Sequence, residues 1–250
     1  MRTSNPVLTR LSEAARSAGL TRDAGGVMTR TGAAGKAALL LALVVFSAVF
    51  TWNEVARGNV GIVMPAMLVG GLGGFIVAMI TAFRPQTAPI TAPIYAVLEG
   101  LVLGAVSALF ERKYPGIALQ AVALTFATAG GVFVLYKLNV LRATEGFRRV
   151  IIGATVGIAL FYLVAFVLSF FGTGMNFLAG SSTLAIGINV VVAAVAALNL
   201  VLDFDLIDEG ARMGAPKKLE WFAAFGLLVT LVWLYMELLR LLARLQGRRD

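Results

Sequence analysis

The chain has neither cysteine nor histidine. The first absence removes disulfides and thiol nucleophiles. The second removes imidazole bases and, together with the first, nearly every zinc-site design. A proton-responsive device in such a chain has to use carboxylates, because no side chain that ordinarily titrates near neutrality is present. Acidic residues are themselves scarce, with 13 Asp and Glu against 21 Lys and Arg in 250 residues and a net charge of +8. In a soluble chain that balance would point to nucleic acid. Here only 14% of residues are charged and 59% are hydrophobic, which excludes an ordinary soluble domain. Most cations lie in loops and tails between long apolar runs, where they set topology and touch anionic headgroups. The lipid bilayer is the expected partner, and no nucleic acid is expected.

The apolar runs fall at about residues 37–52, 60–83, 89–110, 117–136, 150–171, 183–206 and 221–245. Each hydrocarbon crossing needs about 20 apolar residues, so the pattern predicts an all-α integral membrane protein, a seven-transmembrane-helix bundle. The repeated helical length argues against a membrane β-barrel. Residues 1–35 then form a basic cytoplasmic tail, 36–246 the membrane domain and 247–250 a short basic tail. A surface-lying tail, with an amphipathic helix over 6–18, is preferred to a transit peptide, and a cleaved signal peptide is not expected.

Loop charge sets the orientation. With the amino terminus in the cytoplasm, the inner regions hold Arg84, then Lys137, Arg142, Arg148 and Arg149, then Arg212, Lys217 and Lys218. The outer loops hold only Arg57, Arg112 and Lys113, and FGTGMNFLAGSS carries no charge. Seven crossings leave Arg240, Arg244, Arg248 and Arg249 outside, against the rule. Gly70, Gly71, Gly73 and Gly74 in LVGGLGGF, and Gly100 with Gly104 in EGLVLG, are spaced for close helix contact within one protomer. Pro65, Pro89 and Pro93 are expected to bend their helices.

Intramembrane acids are costly and mark function by default. They concentrate at residues 200–221, LVLDFDLIDEGARMGAPKKLEW. Asp203 shares a face with Asn199, one turn earlier, and is the deepest of them. Asp205 points about 200° away from Asp203 if the helix continues. Asp205, Asp208 and Glu209 are read as a solvated helix end, the last two in the loop. Glu99 lies mid-segment on a polar stripe with Tyr95 and Ser107. Glu237 precedes Arg240 and Arg244 on one face, the setting of an interfacial ion pair. Arg84, on the same side as Asp203 by the charge rule, could hold that acid ionised; without it a low dielectric favours the neutral acid.

Seven helices, a basic amino terminus, LVLDFDLI closing the sixth helix and LLRLL ending the seventh resemble the Bax inhibitor family, YccA-like with a transmembrane Bax inhibitor motif. SNPVLTRL and APIYAVLEGLVLGAVS are similar to a bacterial branch of it, which implies a bacterial plasma membrane. The resemblance covers most of the chain and implies a calcium-leak channel gated by pH. In that family two aspartates of the sixth and seventh helices share a proton, and a second-helix arginine latches the closed form. Asp203 matches the first aspartate and Arg84, loosely placed, the arginine. The second aspartate falls near Val229 or Thr230, neither of which ionises, so Glu237 or Glu99 is expected to substitute.

The leading function is therefore a pH-sensitive cation leak, for Ca²⁺, or a proton-linked cation transporter. Asp203, Asp205, Glu99 and Glu237 form its proton and ion site, with Arg84 and Asn199 in support. Asp203 and Glu99 would contribute oxygens to a transient Ca²⁺ site, since calcium needs several. No resident cofactor is expected. The alternative is a regulator of stress survival or of a membrane protease that transports nothing, with residues 1–35 and 212–218 as contact surfaces. An enzyme is not expected: no histidine is present, and Asp203 and Asp205 lack the GxGD pattern of intramembrane aspartyl proteases.

Overall fold

A computed structural model describes residues 26–170 and 182–248. The expected helix over 6–18 and most of FGTGMNFLAGSS lie outside the described residues. Among the described residues seven helices are long and apolar enough to cross a membrane, and no strand is present beyond one isolated bridge. We label them α1 (Arg30–Ala56), α2 (Val60–Phe83), α3 (Ala88–Lys113), α4 (Ile117–Lys137), α5 (Glu145–Phe170), α6 (Thr183–Arg212) and α7 (Leu219–Gln246). The all-α, seven-span architecture read from hydropathy is the observed one.

The helices divide into two compact units. One comprises the described residues up to Leu109 with Asp205–Leu228, and the other comprises Phe110–Phe204 with those from Val229 onward.

In the first unit, α1 begins at Thr29, whose hydroxyl accepts the Gly32 N–H at 2.9 Å and so satisfies an otherwise orphan donor. Its buried residues Ala33, Ala37, Leu40, Val44, Ser47, Thr51 and Val55 recur at steps of three or four, one continuous stripe. α2 is irregular at its start. A 3₁₀ turn (Val60–Ile62) and a single α turn (Val63–Pro65) lead into a π turn (Ala66–Gly70) before regular helix resumes at Gly71. Pro65 brings no N–H to the ladder, which accounts for the break there.

The glycines pack helices within the protomer. A Cβ on Gly70 would lie 2.6 Å from the Leu98 carbonyl, and one on Gly100 or Gly104 would strike the α1 backbone near Val44 or Ala48. Gly71 is the exception, with open space at its Cβ position. Thr81 of α2 donates to the Val77 carbonyl at 2.7 Å and lies 2.8 Å from the Thr91 hydroxyl of α3, so a buried hydroxyl in an apolar span is satisfied.

The sixth helix differs from the expectation. It runs through Asp205, Asp208 and Glu209 to Arg212, so these acids are helical rather than in a loop. Two exposed basic partners favour the extra turns: Arg30 meets Asp208 at 2.7 Å and Arg212 meets Glu209 at 3.3 Å. Gly214, at φ +65°, then ends the helix in the left-handed conformation, with the Ala215 N–H donating to the Gly210 carbonyl at 3.0 Å.

A short strap precedes α1. Val27 bridges Pro216, Met28 donates its N–H to the Ala215 carbonyl at 2.7 Å, and Lys217 donates to the Gly26 carbonyl at 3.2 Å. Met28, Ala33, Ile207, Leu219 and Ala223 form the apolar core beneath it.

In the second unit α7 and α6 carry the polar side chains, and α5 packs on them while leaving most of its own surface uncovered. Glu111 accepts the Gly116 and Ala118 N–H groups at 2.6 and 3.1 Å, which caps the start of α4 after the left-handed Gly116. Phe204 sits edge-on to Phe133 and near Tyr136, holding α6 against α4.

Candidate functional site: buried carboxylates on the last two helices

Asp203 belongs to the second unit. The residue as a whole keeps some exposed surface, yet its Oδ2 is enclosed and has no hydrogen-bond partner among the described residues. Its side chain is hydrogen-bonded by the Thr230 hydroxyl of α7. Thr230 is one of the two positions at which the family pattern puts the partner aspartate. The geometry of a sixth-to-seventh-helix pair is therefore present, with a hydroxyl where the resemblance implies a second acid. A threonine cannot ionise, so it supplies one neutral hydrogen bond and neither a charge nor a shareable proton. A buried carboxylate with a bare oxygen is costly, and a proton or a cation at Oδ2 removes that cost.

Asn199 does not support Asp203 in this structure. Its amide nitrogen donates to Thr155 of α5 at 2.9 Å and to the Val195 carbonyl at 2.9 Å. Asp205 is partly buried on α6 and belongs, with Arg84 and Glu99, to the first unit. Arg84 ends α2 with an exposed side chain and has no ion-pair partner among the described residues. Its carbonyl instead accepts from the Thr87 N–H and hydroxyl in the turn to α3. Glu99 is partly buried and bonded by Tyr95 one turn before it, with Gly74 of α2 close against its carboxylate. Tyr95 in turn stacks edge-on to Phe225 at 5.1 Å.

Glu237 is deeper than an interfacial pair would be, at 1% exposure. Three groups hold it: Tyr162 of α5 at 3.1 Å, Asn189 of α6 at 2.6 Å and Arg240 one turn on at 2.9 Å. Arg244 donates to the Ala185 carbonyl at 2.7 Å, and its charge also acts on Tyr162. Glu237 thus has its own donors and is not what completes Asp203's hydrogen bonding.

Sequence reasoning missed a further buried acid, Glu220, at the start of α7. It has no exposed surface. Oε1 accepts the Thr29 N–H at 2.9 Å and the Thr29 hydroxyl at 3.1 Å, and Oε2 pairs with Lys36 of α1. Lys36 also lies 5.6 Å from the centre of the Trp221 ring. The available signal was positional: Lys36 and Glu220 each stand immediately before an apolar run, where an ionisable side chain is pulled into the interface.

Among the described residues no group of three or more acidic, histidine or cysteine side chains is placed to hold a metal ion. A single carboxylate with neutral oxygens suits transient contact with a cation rather than resident binding.

Seven apolar spans with buried carboxylates on the last two helices define an integral membrane protein of polytopic helical type. The family model described as Bax inhibitor 1 like matches residues 5–247, nearly the whole chain, and the protein belongs to that family. No curated protein and no solved structure matches the chain.

Proposed function

We propose that the protein is a pH-sensitive cation leak of its membrane, with Ca²⁺ as the permeant ion, or a proton-linked transporter of the same ion. One observation carries this reading: the enclosed Oδ2 of Asp203, on a membrane-spanning helix, has no hydrogen-bond partner among the described residues. Such an oxygen is costly as a structural element and is relieved by a proton or a passing cation. Because Thr230 replaces the second acid, Asp203 acts as a single titrating group, and the response to pH follows one proton rather than a proton shared by two carboxylates. Loop charge supports an amino terminus in the cytoplasm, and the similarity to a bacterial branch supports a bacterial plasma membrane. The direct test is Ca²⁺ flux into liposomes holding the purified chain between about pH 6 and about pH 8. Flux above that of empty vesicles is expected; flux equal to theirs refutes the channel.

A second reading, a regulator that transports nothing, draws on the strap. Residues 26–29 before α1 and the loop after α6, which carries Lys217 and Lys218, are joined by the Val27–Pro216 bridge and its neighbouring hydrogen bonds. They form one surface that a membrane protease or another partner would meet. On this reading the native chain gives no Ca²⁺ flux above empty vesicles and removing residues 1–25 abolishes the partner effect; flux above empty vesicles, or a partner effect that survives the truncation, counts against it.

A further inference from the structure

Glu237 stands about two turns after Thr230 on the same face of α7, and its surroundings differ in kind from those of Asp203. Three types of group converge on it. The carboxylate supplies one negative charge in a buried setting. The Tyr162 ring presents a π face, with the Arg240 guanidinium 5.8 Å from its centre. Asn189, 1% exposed, donates from Nδ2 to Glu237 while its Oδ1 is enclosed without a hydrogen-bond partner among the described residues. A carboxylate, an aromatic face and a bare amide oxygen are the components of a receptor for a cation. One cation already sits there: the Arg240 guanidinium, bonded to Oε1 at 2.9 Å.

We propose that Glu237, Asn189 and Tyr162 form a binding site for a monovalent cation, filled in this structure by the side chain of Arg240, so that cation occupancy and Arg240 docking exclude one another. The charge count selects a monovalent ion. One carboxylate balances one positive charge, and a divalent ion would need further acidic ligands that the described residues do not bring there. Arg240 can leave because its side chain is 37% exposed, unlike the carboxylate it covers, and a long arginine can turn its charged end toward headgroups or water. The other charged group facing the site, Arg244 on α7, donates to the Ala185 carbonyl while its positive charge also acts on Tyr162, which weighs further against a divalent ion. Arg240 is in effect a tethered competitor. The Asn189 Oδ1, which the guanidinium does not reach, is the acceptor that a free cation would add. The site shares no side chain with the Asp203–Thr230 pair, so binding here is independent of whether Asp203 governs flux.

The test is binding to the full chain in lipid nanodiscs, followed by titration calorimetry with Na⁺ and with methylguanidinium, both against a choline background. Arg240→Gln is expected to bind at least one of the two about tenfold or more tightly than the native chain, the gain from freeing one charge-assisted contact. Adding Glu237→Gln should abolish that gain, and adding Asn189→Leu should weaken it. Binding of methylguanidinium alone identifies a site for cations bearing N–H donors, and binding of Na⁺ alone identifies one for inorganic ions; either supports the site. Equal binding by the native chain and Arg240→Gln, or binding that survives Glu237→Gln, overturns it. Arg240→Lys guards against loss of folding: it keeps a tethered charge without the planar fork. Its affinity should fall between those of the native chain and Arg240→Gln; affinity no higher than native for both variants, each folded by circular dichroism, also overturns the proposal.

Discussion

Glu220, in the first turn of α7, and Asp203, on α6, are both acids withdrawn from water, and they are treated in opposite ways. Glu220 receives two hydrogen bonds from Thr29 and an ion pair from Lys36, and every one of its oxygens is used. Asp203 receives the Thr230 hydroxyl and keeps Oδ2 bare. A satisfied buried ion pair fixes a geometry, since removing either partner strands the other charge. An unsatisfied acid leaves a cost that a mobile ion or proton can relieve. On this comparison Glu220 holds the start of α1 to the start of α7, and Asp203 is the acid left open to the proton or ion of the proposed function.

The contrast can be broken at either member. The largest expected effect on stability is Lys36→Met, which leaves the Glu220 charge without its partner. The cover over Glu220 is a single layer of Thr29, Gly32 and Lys36 rather than deep core. The loss should therefore be about 2–3 kcal/mol, at or below the lower end for a deeply buried pair. Thermal unfolding in detergent would register it, and Lys36→Met with Glu220→Leu should recover most of the loss. If the single variant melts with the native protein, the pair is not structural.

Gly32→Ala comes next. A Cβ there would collide with the Glu220 carboxylate, which is pinned by its donors and cannot move without losing hydrogen bonds. Against that, alanine gains about 1 kcal/mol over glycine in a helix, so the net destabilisation should be about 1 kcal/mol. A stabilised variant would mean that the carboxylate is free to shift. The smallest effect belongs to Asp203→Asn. It keeps the shape, removes a costly charge and retains an acceptor for Thr230, so stability should change by less than about 1 kcal/mol or rise. A loss of several times that amount in the same unfolding assay would place Asp203 with Glu220 as a structural acid.

The number of the spans was legible because the cost of exposing backbone and charge to hydrocarbon leaves long apolar helices as the solution. The motif put the family's partner position near Val229 or Thr230, but the group expected beside Asp203 was Glu237 or Glu99, and the Thr230 hydroxyl is found there instead. Its chemistry was not foreseen as a hydrogen bond, because a threonine in an apolar run reads as an ordinary residue. The helical state of Asp208 and Glu209 was misread for a local reason: four acids in seven residues look like a solvated end, and the basic partners that sustain the helix, Arg30 above all, lie far away in sequence. Lys36 and Glu220 are separated by 184 residues, and Asn189 and Glu237 by 48. Pairings at that range are set by how helices pack, which hydropathy does not encode.

Ca²⁺ flux in liposomes as a function of pH, native chain against Asp203→Asn, tests most directly the proposed role of Asp203 as the titrating, ion-contacting group. The native flux should change through a single protonation step, and Asp203→Asn should give a flux that no longer varies with pH. A variant whose flux keeps the native pH profile would contradict the assignment and move the ion site elsewhere on the chain.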